Sequence, residues 1–200
     1  NAANTGPIAI LLVAQEDRTY LWEPFSSRYA GLYDVQRNLY KNVYGNKLVF
    51  EEANLDLELT YRYAWRTSEK YGFVKSAWLK NDAPGRCSVN LLDGLQNVLP
   101  YGATTALQTA LSNLLNAYKR NELEQETGLG IYGLSSTLTD LAEPSESLKA
   151  TTAWQVGLED AQHPVQPPRR HTGEPARVVF QCRRVIGRRP LRIIVNLEQV

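Results

Sequence analysis

The stretch 55–65, LDLELTYRYAW, sets Leu55, Leu57, Leu59, Tyr61, Tyr63 and Trp65 at every second position, with Asp56, Glu58, Thr60 and Arg62 between them. Side chains on a strand point alternately to the two faces of a sheet, so this pattern predicts a ribbon with one buried and one wet face. All-parallel sheets bury both faces and lose the alternation, so the sheet is expected to be antiparallel. From Lys47 to Trp65 the chain can run as one extended ladder, with a bulge near Glu51-Glu52-Ala53 where the alternation slips. RTSEKYG then turns, and Phe73 to Leu79 returns as the antiparallel partner, with Phe73 and Ala77 on one face and Val74, Ser76 and Trp78 on the other.

Around this hairpin the signals are shorter. Gly6-Pro7 introduces a buried strand over Ile8 to Ala14, and the polar run QEDR turns the chain. Residues 20–46 are crowded with Tyr, Trp, Phe and Arg and broken by Pro24, Gly31 and Gly45, which predicts loops and short strands. NDAPGR, 81–86, reads as a loop. In SVNLLDGLQNVLPYG, Pro100 and Gly102 break any helix begun at Leu91, and the stretch from Asp93 to Tyr101 reads as a loop. Leu107, Leu111, Leu114, Leu115 and Tyr118 recur at three- and four-residue steps behind Thr104 and Thr105. That spacing predicts one substantial helix over about 105–120, with Lys119-Arg120 favouring its C-terminal dipole. LGIYGLSSTLTD predicts another strand, EPSES a turn, and Leu148 to Leu158 a further strand. The expected class is therefore mainly β and antiparallel.

Composition then divides the chain. Eight of the fifteen arginines, five of the ten prolines and both histidines lie in the last forty residues, which contain no lysine. With Glu174 and Glu198 opposing those arginines, residues 161–200 carry +6 and residues 1–160 carry −5. The domain reading is a β domain over 1–160 and an Arg/Pro-rich tail over 161–200 that should add little to the core. Three accounts of the tail stand: an arm for nucleic acid or anionic membrane, a solvated disordered tail, and the favoured one, an out-of-frame translation of a GC-rich gene. The overall charge of +1 gives no general attraction to nucleic acid, and no apolar run reaches the roughly 18 residues of a membrane span, so neither partner is expected. Methionine is absent even at position 1, and the apolar run IAILLVA lacks a charged leader, which reads as an internal start within a longer protein. The compartment is thus left open.

Familiar enzyme motifs are missing: there is no G-x-x-x-x-G-K-[ST], G-x-S-x-G, H-E-x-x-H or paired C-x-x-C. His163 and His171 fall beyond residue 160, which excludes a histidine base or a metal site from residues 1–160. Carboxylates remain. Glycosidases set two acids roughly 5 to 10 Å apart across a sugar, and Glu51, Glu52, Asp56, Glu58 and Asp93 supply candidates, though Asp56 and Glu58 fall on the wet face where acids keep a sheet soluble. Sugars also bind by laying C–H faces on aromatic rings while carboxylates and guanidinium groups take the hydroxyls. Trp22, Arg28, Tyr29, Tyr33, Asp34 and Arg37 are such residues, and the loop from Asp93 to Tyr101 offers a carboxylate, two amides and a tyrosine. Trp22, Arg28, Tyr29, Asp93 and Tyr101 are accordingly the candidate sugar contacts. The bland reading of the rings is core or inter-domain packing.

Several stretches carry a resemblance: TYLWEPFSSRYAGLYDVQRNLYKNVYGNKLVFEE, the ladder with TSEKYGFV, VNLLDGLQNVLPYG, and NLLNAYKRNELEQETGLGIYGLSSTLTDLAEPSESLKA. Together, over about residues 19–160, they resemble the N-terminal β-rich region of cellobiose-phosphorylase-type enzymes, glycoside hydrolase family 94 in the six-hairpin glycosidase superfamily. The resemblance implies an antiparallel β-supersandwich joined by helices to an (α/α) barrel that holds the catalytic acid. Nothing here matches the barrel, so no catalytic residue carries over and this chain alone is expected to be inactive. It further implies an oligosaccharide substrate for the parent, docking against its own barrel or a partner subunit, no cofactor beyond inorganic phosphate if the parent is a phosphorylase, and in that case a cytoplasmic location. A stand-alone carbohydrate-binding or scaffolding module is the alternative.

Overall fold

The computed structural model describes residues 6–124, 126–136, 149–154 and the backbone of 155–156, 177–186 and 191–199. The architecture is an antiparallel β-sandwich. The smaller sheet has four strands in the order β11-β7-β1-β2 and the larger has eight in the order β3-β4-β5-β6-β12-β10-β9-β8. In chain order these are β1 (Gly6–Gln15), β2 (Arg18–Trp22), β3 (Val35–Lys41), β4 (Lys47–Asn54), β5 (Leu59–Ser68), β6 (Gly72–Asn81), β7 (Cys87–Gln96), β8 (Lys119–Glu124), β9 (Leu129–Leu134), β10 (Ala150–Val156), β11 (Arg177–Ile186) and β12 (Leu191–Gln199).

One core lies between the sheets. Ala9, Leu11 and Val13 of β1, Trp22 of β2 and Val89, Leu91 and Leu95 of β7 meet Leu59, Tyr61, Ala77, Leu79, Tyr132 and Ala153 from the larger sheet. β1, β5, β6 and β7 present alternate residues to this core, so the period-two pattern is what drives the layers together. Phe25, in the crossing from β2 to β3, packs edge-on against Tyr63 at 5.3 Å, and Phe50 stacks on Tyr63 at 4.7 Å. The expectation that most rings of this region are packing is met for Trp22 and Phe25.

The extended ladder of 47–65 is corrected. β4 and β5 are two antiparallel strands, with Asn54 opposite Leu59, and residues 55–58 form the turn between them. The Asn54 side chain accepts a hydrogen bond from the Leu57 backbone N–H at 3.0 Å, and Glu58 adopts a φ of 51°. An Asn side chain that mimics a backbone turn in this way is a common device for reversing a chain. Leu57 folds back into the core at 2% exposure, so the apolar phase continues through the turn and hides it. The β5–β6 hairpin is as expected, with Leu59 opposite Asn81 and Ser68 opposite Gly72.

Two further expectations change. The stretch containing Asp93 is not a loop: β7 runs through Gln96 and pairs with both β1 and β11. The expected helix over 105–120 is two short ones, α1 (Thr105–Ala110) and α2 (Ser112–Tyr118), parted at Leu111, whose φ and ψ are −130° and 37°. Thr104 caps α1 as its position suggested, accepting from the Leu107 N–H. Lys119 is the C-cap of α2 and with Arg120 begins β8, so neither lies in the last helical turn. Of the apolar stripe only Leu115 is fully buried, with Leu107 and Tyr118 half-buried against the same cluster beside Leu134, while Leu111 and Leu114 are exposed.

β11 and β12 fall inside the Arg/Pro-rich segment. Their backbones pair with β7 in one sheet and with β6 and β10 in the other, so the composition break at 160 is not where strand pairing stops. The expected EPSES turn lies outside the described residues.

Candidate functional site

Three polar constellations occupy the described residues, two inside the sandwich and one on its outer face. The first is sealed. Lys75 of β6 and Asp93 of β7 face each other across the core at 0% and 1% side-chain exposure, with Nζ 2.7 Å from each carboxylate oxygen. Tyr61 donates its hydroxyl to the same carboxylate at 2.5 Å. Burial, reinforced by the charge and hydrogen bond of Asp93, pushes the Tyr61 phenol well above its ordinary value. The ammonium thus engages both carboxylate oxygens and the phenol one of them, inside the core. The physical work of the carboxylate is to satisfy Lys75.

The second constellation is built on Glu52 of β4, 2% exposed. One oxygen accepts from the Trp22 indole N–H at 2.9 Å; the other accepts from the Phe25 backbone N–H at 2.8 Å and from Arg37 Nε at 2.6 Å. These bonds fasten the β2–β3 crossing to the sheet. Above them lies a cavity of about 30 Å³, lined in part by Trp22, Tyr29, Tyr33 and Arg37. That volume suits about one water molecule and not a sugar ring.

The third lies on the solvent side of β3–β6. It is a groove of about 540 Å³ lined by Tyr40, Lys47, Val49, Thr60, Arg62, Trp78 and Lys80. Strand pairing builds it directly, because Asn38, Glu51, Arg62 and Trp78 form one row across four strands, and Thr60 and Lys80 sit opposite each other in another. Glu51 accepts from Asn38 at 2.9 Å, from Tyr40 at 3.0 Å and from Arg62. Burial pushes the Glu51 carboxyl up, but those three hydrogen bonds and the Arg62 charge outweigh it and hold it below its ordinary value. Asp82 is likewise engaged, by Lys80 and by the Thr60 hydroxyl at 2.6 Å. The Arg66 guanidinium sits 5.9 Å over the Trp78 ring, and its Nε has no hydrogen-bond partner among the described residues.

The structure scatters the sequence candidates. Trp22 and Asp93 are closed inside the core; Arg28 is exposed beside Glu23 at 4.0 Å; Tyr29 stands at the rim of the small cavity. Tyr101, on the turn after β7, receives Lys149 on its ring at 4.9 Å and on its hydroxyl at 3.3 Å. The candidate carboxylates do not form a pair across a ligand. Glu51 and Glu52 are neighbours on β4 and point to opposite faces of the sheet, while Asp56 accepts from the Asp34 N–H at 2.8 Å and Glu58 lies exposed in the turn. No group of three or more His, Cys, Asp or Glu that could hold a metal occurs among the described residues, and no helix among them is long and apolar enough to cross a membrane. Sequence reasoning passed over the outer-face groove, although it placed Trp78 on the face opposite Ala77; a tryptophan in the wet phase of a strand was the signal. Compared with protein-family models and with curated proteins, the chain matches none.

Proposed function

We propose that this chain is the non-catalytic β-sandwich of a carbohydrate-active enzyme and that it meets oligosaccharide on the outer face of its larger sheet. The observation that carries the reading is the groove of about 540 Å³ in which two aromatic side chains, Tyr40 and Trp78, stand among hydroxyl and cationic groups. Rings offer a face for sugar C–H groups, and fixed hydrogen-bonding groups beside them orient the hydroxyls. Broad antiparallel sheets and the resemblance over residues 19–160 to the N-terminal region of cellobiose-phosphorylase-type enzymes support the same reading, with the reacting acid and any phosphate site placed in a barrel of the parent protein. Glu51, Glu52 and Asp93 each hold neighbouring side chains in place, which suits a supporting domain and not a general acid.

Binding should be weak for an isolated domain, with dissociation constants near about 1 mM, or roughly −4 kcal/mol. Calorimetric titration of the chain with gluco-, xylo- and galacturono-oligosaccharides, repeated on Trp78→Ala, tests it. Binding of at least one of these that Trp78→Ala abolishes is the expected result. If no oligosaccharide binds, or if Trp78→Ala binds unchanged, the groove is not a sugar site.

A further inference from the structure

Tyr40 on β3 and Trp78 on β6 are separated by the width of three strand spacings, about 14 Å, so the groove is long enough for linked rings. Its cations are also spread along the strands. Lys80 is level with Thr60, Arg62 lies two residues on, and Lys47 is level with Arg66, which puts Arg62 about 7 Å from the first level and about 13 Å from the last.

What lines the groove is donor-rich. Lys47, Arg62 and Lys80 can only donate. The two acids beside them are already used, Glu51 by Arg62, Asn38 and Tyr40, and Asp82 by Lys80 and Thr60. Lys47 makes no ion pair among the described residues, and Arg66 Nε lacks an acceptor. A neutral sugar hydroxyl donates as well as accepts, and for its proton the walls offer chiefly the Tyr40 and Thr60 hydroxyl oxygens, both already donating to acids. A carboxylate only accepts, so it fits these walls without leaving a donor unmatched.

Resting on the reading of the groove as a sugar site, we infer that it selects an acidic oligosaccharide, a chain of uronic acid residues whose carboxylates fall to Lys47, Arg62 and Lys80, over its neutral counterpart. Cations at three levels suit charges carried at intervals along a polymer and not one isolated anion. A nucleic acid is the other polyanion that could meet these cations, and net charge does not separate the two, so the test includes one.

The test titrates the full 200-residue chain, by calorimetry at low and moderate salt, with a galacturonic acid oligomer, the methyl ester of that oligomer, and an oligothymidylate of similar length. The acid oligomer should bind at least tenfold more tightly than the ester and weaken as salt rises. Lys47→Gln and Lys80→Gln, each at a side chain that no core residue rests on, should lower that affinity several-fold while circular dichroism melting stays unchanged. Equal affinity for acid and ester overturns the inference and leaves the sugar site standing. If neither binds, both fall. Oligothymidylate binding as tightly as the acid oligomer overturns the carbohydrate assignment, and an acid oligomer that binds the two Gln variants unchanged shows that the carboxylates are held elsewhere.

Discussion

Replacing Asp93 by alanine leaves Lys75 as a buried ammonium with no counter-charge and the Tyr61 hydroxyl with no acceptor. Lys75 is 0% exposed, so no rotamer carries its charge to water without moving β6. Breaking a buried pair from one side costs about 3–5 kcal/mol, largely because the surviving charge is uncompensated. The orphaned phenol belongs to the same network, so its share of about 1–3 kcal/mol does not simply add. With a urea slope of about 2 kcal/mol per M, the Asp93→Ala midpoint should fall by about 1.5–2.5 M. Lys75→Met combined with Asp93→Leu removes both charges and should recover most of that loss, since hydrophobic replacement of a whole buried pair is often neutral or stabilising. Tyr61→Phe keeps the pair and should cost only about 1 kcal/mol. Chemical denaturation followed by tryptophan fluorescence reads all four proteins. An Asp93→Ala midpoint within about 0.25 M of the parent, or a double variant no more stable than Asp93→Ala, refutes the argument that the carboxylate is there to neutralise Lys75.

Truncation at residue 160 removes β11 and β12, unpairs one edge each of β6 and β10 and separates β8–β10 from the rest of the larger sheet; the expected result is loss of a cooperative melting transition, and an unchanged midpoint would show that these strands carry no stability. Alkaline pH should also destabilise the fold: burial pushes the Tyr63 and Tyr132 phenols up to about 12, and an unfolded tyrosine titrates near about 10. The folded state thus keeps protons that the unfolded state releases, so stability is intact below about pH 10 and falls as pH rises toward 12. Urea midpoints that stay level from pH 8 to 11 would contradict this.

Local period and turn chemistry made the β class and the β5–β6 hairpin legible, because the two strands and their turn are contiguous and the buried face repeats every second residue. Where the reading failed, a tertiary contact was in control. The turn at 55–58 kept the apolar phase because Leu57 closes back on the core, so a ladder and a hairpin share one pattern. β7 was hidden by Asp93, Gly94 and Asn97, residues that favour turns in isolation; the charge that makes Asp93 tolerable in a strand comes from Lys75, eighteen positions away. The helix split at Leu111 is marked by Ser112 and Asn113, which favour caps and turns, a local signal that the leucine spacing outweighed. RVVFQCRRVI and LRIIVNLEQ contain strand-forming runs of Val, Ile and Phe, but the arginines interrupting them mask the apolar spacing.

The candidate site failed for a different reason, which lies in how one strand serves two faces. Glu51 and Glu52 look equivalent in sequence, yet one closes the β2–β3 crossing from inside and the other anchors Arg62 outside. Aromatic residues near carboxylates suggest a sugar site only if both can reach solvent together, and Trp22 with Asp93 cannot, because both are turned inward. Trp78 stands on the other phase of β6, where a large ring gains nothing from the core and Arg66 and Arg62 flank it instead. Burial therefore reverses the ranking that residue type alone produces. Rings in the dry phase, Trp22 and Tyr61 among them, hold the sandwich together, and Trp78 in the wet phase lines the outer groove.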